Sequence, residues 1–211
     1  NYRFIAIEGN IGAGKTTLAH LLARHYKARL ILEEFDDNPF LPKFYESPGQ
    51  YAFPLELFFM AERYKQLKEQ LLSQDLFSTV TISDYLFTKS LLFARNTLSE
   101  EEFRLFQKMY DILQPQLIQP ELLIFLHSPV NRLQDNIRRR GRDFEQAISV
   151  EYLLGLQETY TQYIRQHNIP TLIVDVSNAD FLGNENQLQP VIDALERSYE
   201  GAGPHLISLP D

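Results

Sequence analysis

Eight residues limit this chain more than any others. Gly9-Asn10-Ile11-Gly12-Ala13-Gly14-Lys15-Thr16 matches the phosphate-loop pattern G-x-x-x-x-G-K-[ST] at every position. Before it, Phe4-Ile5-Ala6-Ile7 reads as a short strand; after it, Leu18, Leu21, Leu22 and His25 fall at helical spacing. A phosphate loop needs that context. Its glycines let backbone N–H groups wrap phosphates, and the helix N-terminus adds positive potential. Lys15 is placed to reach the outer phosphates and the Thr16 hydroxyl to ligate Mg²⁺, with Thr17 next along the helix. A glycine-rich turn that binds nothing is the bland alternative, and motif and context together argue against it. The motif fixes nucleoside triphosphate binding but leaves the reaction open. No Asn-Lys-x-Asp run for guanine recognition is present, which disfavours a GTPase of the Ras type.

The rest of the chain alternates strand and helix. Leu30 to Leu32, Phe77 to Ile82, Leu122 to Leu126 and Thr171 to Val176 read as further short strands. Apolar residues at helical spacing separate them, notably Leu57 to Leu71, Phe103 to Leu113 and Val150 to Ile164. Five such strands predict an α/β domain built on a five-stranded parallel sheet with helices on both faces. The domain is expected to span residues 1–200, with 201–211 a flexible C-terminal tail. Ligands on such sheets bind beyond the carboxyl ends of the strands, so the residues there are the ones to weigh.

Charge and composition narrow the partners. Twenty Lys and Arg against 28 Asp and Glu give a net charge of −8. That disfavours a nucleic-acid polymer as ligand, whereas a single nucleotide needs only a few focused cations. There are no cysteines, hence no disulfides or thiolate metal sites, which fits a reducing, cytoplasmic setting. No apolar run approaches the ~20 residues of a membrane span, and no signal peptide is apparent. The five histidines show no ligand spacing and read as structural or surface residues.

Three features at strand ends carry the chemistry. Glu33 and Glu34 follow the second strand, and adjacent side chains there point opposite ways, so one of them faces the cleft. A kinase acting on a hydroxyl needs a carboxylate to position it and take its proton; a solvated acidic turn is the competing explanation. Asp84 ends the third strand, where a carboxylate supports Mg²⁺ or caps the next helix. Lys89, five residues on, is either a cation near the transferred phosphoryl group or an ordinary surface lysine. The run Arg138-Arg139-Arg140-Gly141-Arg142 packs four arginines into five positions of an acidic protein. It predicts an Arg-rich lid whose forks meet phosphate oxygens, against the alternative of a solvated helix end.

On these residues the chain resembles the deoxynucleoside kinase family, in its bacterial deoxyadenosine/deoxyguanosine kinase-like branch, from Phe4 to about Leu182. Leu32-Glu33-Glu34-Phe35-Asp36-Asp37-Asn38-Pro39-Phe40-Leu41 looks like the segment that carries the catalytic base, favouring Glu33, with Glu34 second. The resemblance puts Tyr45 on the sugar 3′-hydroxyl and Glu145 beside it. It puts Arg140 and Arg142 on phosphates, and Asn178, Asp180 and Phe181 in the loop around the adenine of ATP. Glu56 and Arg63 share a helix face, two turns apart, where the family reads the base, with Phe93 in the same acceptor pocket.

Two departures stand out. The family's acidic-Arg-Ser motif is here Asp84-Tyr85-Leu86, with Lys89 the nearest substitute for the arginine. The family commonly reads the base with glutamine, whereas here the residue is Glu56. An ionised Glu only accepts hydrogen bonds, which suits guanine N1–H and N2–H₂ and points to a purine, deoxyguanosine foremost.

The resemblance implies a P-loop kinase fold, with ATP and Mg²⁺ used to phosphorylate a deoxynucleoside 5′-hydroxyl, in a homodimer. Two rivals are a thymidylate-type nucleoside monophosphate kinase and a non-catalytic nucleotide switch.

Overall fold

β1 (Phe4–Gly9) is buried at every position, as a central strand covered on both faces must be. Its residues alternate: Ile5 and Ile7 face one side chain layer, Phe4 and Ala6 the other. In the computed structural model, residues 2–34, 37–72, 79–199 and 203–210 are described. Five further strands flank β1: β2 (Arg29–Ile31), β3 (Thr81–Ser83), β4 (Leu122–His127), β5 (Thr171–Asp175) and β6 (Pro204–Ile207). The order is β2-β3-β1-β4-β5-β6, and every pairing is parallel.

The sheet thus has six strands rather than the expected five. The extra one, β6, comes from the stretch expected to be a flexible tail. It pairs with β5 from Thr171↔Pro204 to Val174↔Ile207, and Gln187 donates to the Pro210 carbonyl at 3.0 Å beyond it. Its side chains are mostly exposed and it opens on proline. An edge strand with neither apolar alternation nor a free N–H at its start leaves little pattern to read. The third strand is shorter than the run Phe77 to Ile82 suggested, and Phe77 itself lies outside the described residues.

Eight helices complete the described fold: α1 (Lys15–Tyr26), α2 (Leu41–Glu46), α3 (Pro48–Leu72), α4 (Lys89–Thr97), α5 (Glu100–Leu113), α6 (Val130–Arg140), α7 (Val150–Gln166) and α8 (Gln189–Leu195). Leu18 and Leu22 of α1 and Leu133 and Ile137 of α6 pack on the Ile5/Ile7 face. Met60 and Leu67 of α3 and Phe103 and Phe106 of α5 pack on the Phe4 face. Ser99 opens α5 with a capping box closed by Glu102. Register brings the ends of β2 and β3 level, with Ser83 opposite both Ala6 and Ile31, and β1 runs on beside them to Gly9. The phosphate loop, Glu33 and Asp84 therefore emerge side by side.

Candidate active site

The phosphate loop is held open from beneath. The Asn10 amide donates to the Leu153 carbonyl of α7 at 2.8 Å and accepts from the Ile11 N–H at 2.8 Å. Gly12 sits at φ 81°, and a Cβ there would lie 2.8 Å from the Leu133 carbonyl of α6, so only glycine fits. Asn136 of α6 donates to the Gly12 carbonyl at 2.9 Å and ties the two elements together. Lys15 folds back on the loop, donating to the Gly9 and Asn10 carbonyls at 2.9 and 3.0 Å. Burial and the charge of Lys89 lower its pKa to about 8, against the pull of Glu8, Glu33 and Asp84.

Next to the loop, one carboxylate joins two segments of the chain. Asp84 Oδ2 accepts from the Thr16 hydroxyl at 2.5 Å, and Oδ1 accepts from the Glu33 N–H at 2.8 Å. Asp84 does not cap a helix, because α4 begins at Lys89 after Thr88. Two hard oxygens this close suit Mg²⁺, which usually takes one or two protein oxygens and completes its shell with phosphates and water. Among the described residues no cluster of three or more acidic, His or Cys side chains offers a metal cage.

Glu33 lines the cleft and Glu34 is exposed outside it. Arg63, only 2% exposed on α3, approaches Glu33 Oε1 with Nε at 2.7 Å and Nη2 at 2.6 Å. Lys89, buried at the start of α4, pairs with Oε2. Burial alone would raise the Glu33 pKa, but the two cations hold the carboxyl well below the usual range. Arg63 also donates to the Ser90 hydroxyl at 2.9 Å. In this structure it braces Glu33.

Glu56, two turns before Arg63, is 2% exposed. Its Oε1 accepts from the Thr97 hydroxyl at 2.9 Å, and its buried Oε2 has no hydrogen-bond partner among the described residues. Burial pushes its pKa up to about 7, tempered by Arg63 and Thr97. Tyr45, Phe93 and Glu145 line the same cleft, and the Tyr45 ring lies 6.4 Å from that of Phe144, nearly parallel. Burial, then Glu145 and Glu56, raise the Tyr45 phenol well above its ordinary value.

The arginine run divides between a helix and a lid. Arg138, Arg139 and Arg140 form the last turn of α6, and Gly141 ends it at φ 69°. Arg140 pairs with Glu145, and Arg142 Nη1 lies 3.5 Å from the same carboxylate. The cleft they close has a volume of about 670 Å³ and runs from the phosphate loop to α3.

A family model described as Deoxynucleoside kinase matches residues 5–199. The chain belongs to the deoxynucleoside kinase family. This deoxynucleoside kinase is 37% identical over 196 residues to "Deoxyguanosine kinase" of Bacillus subtilis (strain 168), across 89% of this chain and 93% of that one. It is 28% identical over 200 residues to "Deoxyadenosine/deoxycytidine kinase" of the same organism, across 90% of both. Its fold is that of the deoxyadenosine kinase from M. mycoides with bound dCTP, at a TM-score of 0.78 and 22% identity over 91% of this chain and 98% of that one. As a deoxynucleoside kinase it is an ATP-dependent phosphotransferase acting on deoxynucleosides, and neither the monophosphate-kinase nor the switch reading is favoured.

Most residues expected from this kinase's sequence line the one cleft. From the phosphate loop these are Ile11, Gly12, Ala13, Gly14, Lys15, Thr16 and Thr17, and from the loop after β5 they are Asp180 and Phe181. Gly9 and Asn10, at the start of the loop, do not line the cleft; they bond Leu153 and Lys15 behind it. Asn178 is exposed and does not line the cleft. Some cleft or supporting residues escaped the sequence reading. Arg132 and Asn136 of α6 line the cleft four residues apart, in helical step with Arg139 of the expected lid. Glu8, a lone charge in an apolar strand, accepts from the Leu86 N–H at 2.8 Å and the Tyr160 hydroxyl at 2.7 Å. It joins the base of the phosphate loop to the segment after β3 and to α7.

Proposed function

We propose that this deoxynucleoside kinase takes deoxyguanosine as its preferred acceptor. The observation that carries the assignment is Glu56: a buried acid whose second oxygen has no protein partner, at the acceptor end of the cleft. A carboxylate there is complementary to the adjacent N1–H and N2–H₂ of guanine. The 37% identity to a protein named deoxyguanosine kinase points the same way.

In the mechanism that follows, Glu33 accepts a hydrogen bond from the nucleoside 5′-hydroxyl. Oε1 is met by two Arg63 nitrogens, whereas Oε2 keeps a lone pair beside Lys89 for that bond. The 5′-oxygen attacks the γ-phosphorus in line, the bond to the β-phosphate oxygen breaks, and the hydroxyl proton passes to Glu33. Because Glu33 is a weak base, its larger role is to aim the hydroxyl, with the proton moving late. Tyr45 and Glu145 hold the sugar. Arg140 and Arg142 turn from Glu145 to the phosphate oxygens, alongside Lys15. Thr16 and Asp84 would hold Mg²⁺, which supplies charge neutralisation on the phosphates when bound. Lys89 steadies Glu33 in place of the family arginine. Asp180 and Phe181 flank the donor base, and Asn178 acts from outside the cleft. A homodimer in the cytoplasm, with no polymer or membrane partner, accompanies this assignment.

The test is ATP-dependent phosphorylation of the four deoxynucleosides and their monophosphates with Mg²⁺. Deoxyguanosine is expected to give the highest kcat/KM. A clear preference for deoxycytidine would overturn the Glu56 assignment. Turnover of monophosphates alone would overturn the acceptor class.

A further inference from the structure

We propose that the protonation state of Glu56 selects between the purines, so that adenine is accepted only while Glu56 carries a proton and the preference for guanine grows with pH. The proposal rests on the placement of Glu56 at the acceptor base.

The geometry leaves this one acid free to exist in either form. Glu33 captures both nearby cations, Arg63 from α3 and Lys89 from α4, and neither makes an ion pair with Glu56. Among the described residues the one hydrogen-bond partner of Glu56 is the Thr97 hydroxyl, which also lies 3.1 Å from the Phe93 carbonyl. That hydroxyl can swing to Phe93 when the carboxylate is neutralised. Among the described residues the Tyr45 phenol from α2 and the Tyr152 phenol from α7 also feel Glu56, and the Glu145 carboxylate with its Arg140 partner from the lid acts on the same Tyr45. Burial raises both phenols, so neither titrates near neutrality. Glu33, held ionised by its cations, stays charged throughout. Glu56 is thus the group on this wall whose charge changes in the neutral range, its pKa pushed up to about 7.

Base chemistry turns that change into a choice. A carboxylate offers acceptors only, and adenine presents the N6 amino donor beside N1, itself an acceptor. One carboxylate oxygen would then face the N1 lone pair in a dry site, and leaving polar groups so opposed costs affinity steeply. The carboxylic acid accepts from N6–H and donates its O–H to N1, satisfying both. Guanine is served by either form. The carboxylate accepts from N1–H and N2–H₂, while the acid donates to O6 and accepts from N1–H. Only the adenine arm is tied to the proton, and by linkage bound deoxyadenosine holds that proton in place.

The experiment is a competition between deoxyguanosine and deoxyadenosine for one enzyme with ATP and Mg²⁺, from about pH 6 to about pH 8.5. It reads the ratio of their kcat/KM values. Changes in Lys15, Glu33 or the metal act on both substrates and cancel in that ratio. The expected result is a ratio that rises towards about tenfold per pH unit above the Glu56 titration. Glu56→Gln, which keeps a donor and an acceptor at every pH, is expected to give a flat ratio and to use deoxyadenosine better at the alkaline end. A wild-type ratio that stays flat while deoxyguanosine remains preferred overturns the titration and leaves the guanine assignment standing. A slope that persists in Glu56→Gln also overturns it, by moving the titration to another group. Efficient turnover of neither purine removes the base assignment, and this inference with it.

Discussion

Arg63 and Glu33 face each other across the cleft wall, with the guanidinium Nη2 2.6 Å from the carboxylate Oε1. The pair links α3, which carries Glu56, to the strand end that carries Glu33. Two consequences follow for the carboxylate. It stays ionised over the whole working range, and its orientation depends on the two cations that pair with it. Glu33→Gln is therefore expected to keep ATP affinity while kcat falls by about two to four orders of magnitude. Titration calorimetry for ATP and steady-state turnover separate the two effects. Near-normal turnover would shift the base role to Glu34 or elsewhere.

Lys89 gives a pH prediction with a definite sign. With Lys89 present, Glu33 is held well below the ordinary carboxylate range. Replacing it by Met leaves the volume but removes the charge, so burial of Glu33 is opposed by Arg63 alone and its pKa rises. The acid limb of the kcat/KM profile for Lys89→Met is expected to move to higher pH than in wild type. An unmoved limb would show that Lys89 is only a packing residue.

Lys15 adds an alkaline counterpart. Burial and Lys89 lower its pKa from 10.5 to about 8 in the nucleotide-free protein. Above that pH the free enzyme has lost the charge that ATP phosphates require, so binding must take up a proton and weakens. ATP titrations at alkaline pH in two buffers of different ionisation heat should reveal that uptake, and titrations near neutrality should not.

Glu56 also leaves a mark on stability without substrate. Burial pushes its folded-state pKa up from the ordinary 4.5 to about 7. Between those values the folded state binds more protons than the unfolded state, so stability falls as pH rises through that window. Beyond it the full penalty is present, on the order of 3 kcal/mol. Glu56→Gln is expected to raise the thermal midpoint relative to wild type at alkaline pH and to narrow that gain in mild acid. Equal gains at both ends would assign the effect to packing rather than charge.

The parts of this protein that announced themselves were those where chemistry demands particular residues at fixed spacing. Gly9 to Thr16 is legible because backbone approach to phosphate excludes side chains, and Arg138 to Arg142 because such charge density is costly without a ligand. The central strands were legible because burial on both faces forces an apolar run. What escaped was set by partners far away in the chain. The choice of Glu33 over Glu34 depends on where Arg63 and Lys89 arrive, 30 and 56 residues on. The role of Asn10 depends on a carbonyl of α7, 143 residues away. β6 escaped because an exposed edge strand pairs through its backbone, which every sequence has, and not through its side chains.

Asp84 gives one oxygen to Thr16 on the donor side and the other to the Glu33 backbone on the acceptor side. A change at this position is felt by both substrates at once. The Michaelis constant for ATP and the rate of attack by the nucleoside are therefore not independent quantities for selection, or for an engineer, to adjust through residue 84. On the proposed roles, retuning one half of this enzyme without disturbing the other has to begin further out, at Glu56 for the base or at the arginines of α6 for the phosphates.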